Sequence, residues 1–123
     1  MKQILMTCVM AAGLMSVPAL ASSSPEASGV ASKAILKGNW KEAEALLRQA
    51  LAQNPNDATQ LLNLAFVLQN TGRQTEAASV YQHVLQMDHN PVVAVNDPYR
   101  LPQPARAKHL AKKGMASLES AKQ

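Results

Sequence analysis

Cysteine and aromatic residues are scarce in this sequence. Its 123 residues hold one cysteine, one tryptophan, one phenylalanine and two tyrosines. The single thiol, Cys8, falls in an opening segment that reads as removable. Met1 and Lys2 give a short basic start, and residues 4–17 are mostly apolar and uncharged. Pro18-Ala19-Leu20-Ala21 then ends in the small-x-small pattern of a signal-peptidase site. About 14 apolar residues are too few to cross a bilayer, which takes roughly 20. The expectation is therefore a cleaved signal peptide over 1–21 and an exported product, periplasmic or secreted, that begins at Ser22. Such a product has no thiol, which excludes disulfides, cysteine nucleophiles, thiolate zinc sites and iron–sulfur clusters. Lipid attachment at Cys8 fits less well, because Leu5-Met6-Thr7 puts no small residue before it and no apolar run precedes it.

Charge is unevenly placed. Residues 22–90 carry five basic and six acidic side chains, whereas residues 91–123 carry six basic and two acidic. A basic balance often points to nucleic acid, but four scattered aromatics (Trp40, Phe66, Tyr81 and Tyr99) supply no stacking platform. Nucleic acid is not an expected partner.

The main signal is an internal repeat of 34 residues, over 24–57 and 58–91. At that offset Gly38 pairs with Gly72, Glu42 with Glu76, Ala43 with Ala77, Leu47 with Tyr81 and Leu51 with Leu85. Upstream, Val30 pairs with Leu64, Ala31 with Ala65 and Ala34 with Leu68. Small, large and turn residues recurring together mark a repeat array. Each unit predicts two helices. The first starts at Ser23 or Ser24, with Pro25 and Glu26 suited to a first turn. Its apolar stripe is Ala27, Val30, Ala31, Ala34 and Ile35. Gly38-Asn39 breaks it, and Asn39 with Glu42 has the spacing of a capping box. Ala43, Leu46, Leu47, Ala50 and Leu51 form the second stripe, ended by Asn54-Pro55. Asp57 is set to cap a third helix with Leu61, Leu64, Ala65 and Leu68 inside. Gly72 breaks that one, and Ala77, Val80, Tyr81, Val84 and Leu85 carry the fourth.

These positions resemble the tetratricopeptide repeat family. That family favours a small residue where first helices cross (Ala31, Ala65), a turn glycine (Gly38, Gly72) and an aromatic two places later (Trp40, with Gln74 departing). It also favours a small residue early in the second helix (Ala43, Ala77), a large one four further on (Leu47, Tyr81) and a closing proline (Pro55). In the second unit His89 stands at the closing site and Pro91 follows two residues late. The resemblance implies an all-α superhelix of two helix-turn-helix repeats.

Two units leave an apolar face to be covered. Pro91, Pro98, Pro102 and Pro104 make residues 91–104 a connector rather than a helix. Beyond it, Ala107, Leu110, Ala111, Gly114, Met115 and Leu118 line one face of a fifth helix over 105–121, expected to cap the core. Arg106, Lys108, Lys112 and Lys113 would face solvent, or dock on an anionic membrane or polymer surface in an envelope-tethering role.

No catalytic constellation is visible. His83, His89 and His109 read as surface residues. Glu42 and Glu44 are two apart and point to different faces of one helix. Glu76 suits a first turn beside the helix dipole. There is no Gly-rich phosphate loop, nucleophile elbow or zinc-binding helix motif. No enzyme activity, metal or cofactor is expected. Trp40 reads as a packing residue between helices, and Phe66 falls off the apolar stripe of its helix.

The resemblance further implies a concave groove, lined by the first helices, that holds an extended peptide or partner helix. Position by position, the second unit offers Thr59, Leu62, Asn63, Phe66, Gln69 and Asn70, and the first offers Ser28, Ser32 and Ile35. Asn63 matches the amide of the family's carboxylate clamp, while Ser28 and Ser32 replace the clamp residues of the preceding repeat. A protein-binding adaptor is thus the implied role. Short exported members resemble accessory factors of bacterial secretion or pilus machines, including the Flp/Tad pilus-assembly group. Self-association and contact with a membrane surface remain open as partners.

Overall fold

A computed structural model describes residues 25–96 and 104–123, with side chains from residue 29 onward. The leader with Cys8, the caps Ser23 and Ser24, the side chains of Ala27 and Ser28, and Pro98, Tyr99 and Pro102 lie outside the described residues. Helices α1 (Pro25–Leu36) and α2 (Trp40–Gln53) form one hairpin, and α3 (Ala58–Asn70) and α4 (Gln74–Gln86) the next. Two short strands follow, β1 (Val92–Val93) and β2 (Ala105–Arg106), and the chain closes with α5 (Ala107–Ser120).

The repeat holds down to individual hydrogen bonds. Gly38 and Gly72 adopt φ of 73° and 78°, a left-handed conformation that a side chain disfavours. Each lets the chain turn back on the helix it ends. The Asn39 N–H donates to the Ala34 carbonyl and the Arg73 N–H to the Leu68 carbonyl, both at 2.9 Å. These are Schellman closures 34 residues apart. Asp57 caps α3 as its sequence implies, its Oδ1 accepting from the Thr59 and Gln60 N–H groups at 3.0 and 3.2 Å. Asn39 does not cap α2. Its backbone takes φ −80° and ψ 69° after the glycine turn, and its carboxamide instead makes a long 3.4 Å contact to Glu42.

Consecutive helices pack against one another, and α5 packs on both α4 and α3. The core runs through this stack: Ala31 and Ile35 of α1, Ala43 and Leu47 of α2, Leu64, Ala65 and Leu68 of α3, Ala77, Tyr81 and Val84 of α4, and Ala107, Ala111 and Leu118 of α5 are buried. Val30 departs from its expected stripe and is 45% exposed. Helix α1 docks on α2 through Ala31, Ala34 and Ile35, and no helix among the described residues covers the side where Val30 points.

Helix α3 is buried nearly all round, with α2, α4 and α5 as neighbours. Leu62, Val67 and Asn63 are therefore inside as well as the expected stripe. The described residues of the connector are tied to the fold. Val92 and Val93 pair antiparallel with Arg106 and Ala105. Helix α5 begins two residues later than the expected 105 because residues 105–106 are spent in that ladder. Its first turn is capped from outside, since Asn90 Oδ1 accepts from the Lys108 N–H at 3.0 Å and the Pro91 carbonyl accepts from the Ala107 N–H at 2.9 Å.

Candidate partner-binding surface

The residues expected to line a groove lie on α1 and α3, the first helix of each hairpin. Leu62 and Asn63, expected on an open groove, are instead buried at 1% and 3% exposure. Ile35 of α1 is likewise core. The physical reason is that neighbouring helices enclose α3 and the connector adds to them: Val93 is buried, Val95 packs against the core, and Asn96 reaches both α3 and α1. Asn63 Oδ1 accepts the Asn96 N–H at 3.0 Å, and Ser32 Oγ accepts from the Asn96 carboxamide at 2.7 Å. Asn63 thus serves an internal main-chain donor.

Five expected residues keep some surface. Ser32, Thr59, Phe66 and Gln69 are half-buried, and Asn70 is exposed. Phe66 sets its ring edge-on to Trp40, with centroids 6.0 Å apart and planes at 65°, a favourable aromatic geometry. Both rings pack on the margin of the core rather than within it. The Asn70 carboxamide donates to the Phe66 carbonyl at 2.8 Å, and Gln69 Nε2 donates to Ser117 of α5 at 3.1 Å.

On another part of the stack, α2 and α4 are joined by an ionic square absent from the expectations. Arg73 reaches Glu44 at 2.6 Å and Glu76 at 2.7 Å, and Arg48 reaches the same carboxylates at 2.8 and 3.3 Å. Partial burial pushes the Glu44 carboxyl upward, but hydrogen bonds and charge from Arg73 and Arg48 outweigh it and hold it below the usual range. The hydrogen bond from Arg73 holds Glu76 low in the same way. Glu76 therefore does more than sit in a first turn. The Glu44–Arg48 spacing of four residues and the Arg73–Glu76 spacing of three are local signals of its two edges; the fold alone brings the two pairs together, Arg73 to Glu44 and Arg48 to Glu76.

Elsewhere, His83, Met87, Asp88 and His89 border a cleft of about 420 Å³ near Asn56. His83 Nε2 lies 3.1 Å from Asn56 Oδ1. The three histidines are exposed. Among the described residues no group of three or more His, Cys, Asp or Glu side chains is placed to hold a metal ion. On α5 and its approach, Arg106, Lys112 and Lys113 are exposed, Lys108 is half-buried, and Arg106 donates to the Asn90 carbonyl at 3.0 Å. No helix among the described residues is long and apolar enough to cross a membrane.

Two helix-turn-helix units in 34-residue register, closed by a further helix on the second, define an all-α helical-repeat superhelix. Residues 34–94, about half of the chain, match the family described as Tetratricopeptide repeat. That match agrees with the helical register and supports the family resemblance for the repeat segment. Repeats of this family generally mediate protein–protein interaction and are typically not enzymes. Neither the comparison with curated proteins nor that with solved structures gave a match.

Proposed function

We propose that the protein is a non-enzymatic adaptor or assembly factor of the cell envelope, which holds an extended segment or helix of a partner protein on the α1/α3 side of its repeats. The observation that carries this is Phe66. It is a large aromatic on the first-helix side, half-buried and braced edge-on by Trp40 instead of absorbed into the core. Exposed Asn70 sits one turn on, so the surface offers an apolar edge beside amide groups, a composition suited to peptide recognition. Export rests on the leader pattern of residues 1–21. The assignment to a secretion or pilus machine rests on resemblance to short exported repeat proteins.

A second reading is tethering to an anionic lipid or polymer surface through α5. Lys112 and Lys113 favour it, being exposed and without an ion pair among the described residues. Salt separates the two, because exposed charges are screened within about 10 Å at 0.1 M. Crosslinking capture from envelope extract, run at low and high salt, is the test. A specific protein retained at high salt and lost with Phe66→Ala, at unchanged helicity, supports the adaptor. Capture of lipid or polymer at low salt alone supports tethering.

A further inference from the structure

The two repeats differ most in how each second helix hands on to the next element. Residues 54–57 suffice between α2 and α3, whereas residues 87–106 separate α4 from α5. The longer connection is not idle chain. Its legs are zipped where Val92 and Val93 pair with Arg106 and Ala105. From Val92 onward exposure alternates, with Val92 and Ala94 outside, Val93 buried and Val95 partly so. That two-residue period is the mark of an extended strand. At its end Asn96 bridges both repeats, donating its N–H to Asn63 of α3 and its carboxamide to Ser32 of α1.

We propose that residues 92–96 are a resident strap, an internal ligand seated on the α1/α3 surface that a partner's extended segment must displace. The strap's own chemistry states what that segment looks like. It carries two branched apolar side chains two residues apart, followed by a residue that offers both a main-chain and a side-chain donor. Asn63 makes the surface demand such an occupant, because its buried carboxamide oxygen loses its donor if the strap leaves and nothing replaces it. Pairing with β2 anchors the start of the strap, but its hold on the repeats is short and uncharged, two valines and two neutral hydrogen bonds, so an equivalent segment can compete for that surface. A tethered strap competes at an effective concentration in the millimolar range, which keeps the surface closed to weak or ill-matched peptides.

This inference rests on the α1/α3 side being the binding surface, and its test is separable from that of the adaptor. The probe is a fluorescein-labelled peptide with the sequence of residues 91–96, titrated by anisotropy against the full chain and its Asn96→Pro variant. Proline removes the N–H to Asn63 and the carboxamide to Ser32 together. The variant is expected to bind the probe about tenfold more tightly than the unaltered chain, as the loss of two hydrogen bonds from the competitor implies. Equal binding by both chains, or by neither, overturns the proposal. Should the variant fail to fold, hydrogen exchange on the unaltered chain decides. A displaceable strap exchanges its Asn96 amide at least about a hundredfold faster than the Ala65 amide of α3, and equal protection means a fixed part of the core. Partner capture by the unaltered chain without probe binding by the variant keeps the adaptor and rejects the strap.

Discussion

Gly114 of α5 packs against the ring of Tyr81 of α4, so close that a β-carbon at residue 114 would overlap three ring carbons. The same phenol donates to Gln69 Oε1 of α3 at 3.0 Å, and Gln69 in turn donates to Ser117 of α5. Three helices therefore meet at one tyrosine, and the capping role of α5 depends on a missing side chain.

Gly114→Ala should destabilise the protein. At an unconstrained helix position the change would gain about 1 kcal/mol in helix propensity. Here overpacking against the ring, typically about 1–3 kcal/mol, should win because Tyr81 is 5% exposed and hydrogen-bonded in place. Urea unfolding followed by circular dichroism checks this; a raised midpoint would show that the ring can move aside.

Tyr81 also sets an alkaline limit. Burial pushes its phenol up to about 12, against an ordinary 10.0. The fold holds the neutral form, so its contribution is constant below pH 10 and falls as pH rises from 10 to about 12, where the native phenol also ionises. The melting temperature should drop across that window. Tyr81→Phe should remove part of the drop, and an unchanged slope in that variant would exclude Tyr81 as its source.

The ionic square predicts the opposite limb. Glu44 and Glu76 have lowered pKa values in the fold, so the stability they contribute is present above pH 4.5 and is lost as pH falls through the lowered values. Arg73→Met should lower the melting temperature at neutral pH and flatten its fall in acid. Because Arg48 and Glu76 are exposed and Glu44 and Arg73 only partly buried, high salt should shrink the difference between variant and parent. Arg48→Met should do less, since Arg48 stands farther from Glu76, at 3.3 Å. Thermal melts at two salt concentrations distinguish the two.

The helix starts give a matched pair. Asp57→Ala removes a cap that accepts two N–H donors and should cost about 1 kcal/mol. Asn39→Ala should cost much less, because Asn39 makes no side-chain cap hydrogen bond. Equal losses in chemical denaturation would show that capping is not what separates them.

The sequence by itself determined the helices and their register. Turn glycines at Gly38 and Gly72, the Asp57 cap and stripes spaced three and four apart act within a few residues of one another, so local rules reach them. The 34-residue period needs only the same local rules applied twice. Even the fifth helix was legible, because Ala107, Ala111 and Leu118 recur on one face. Tertiary structure decided what lies on that framework. Leu62 and Asn63 are off the apolar stripe of α3, yet they are buried because neighbouring helices and a connector close round the helix. Asn96 lies 33 residues from Asn63 and 64 from Ser32, and the pairing of Arg73 with Glu44 spans 29. Hydrogen bonds and ion pairs at such separations leave no periodicity in the chain, since each is made once, by whichever surfaces the packing brings together.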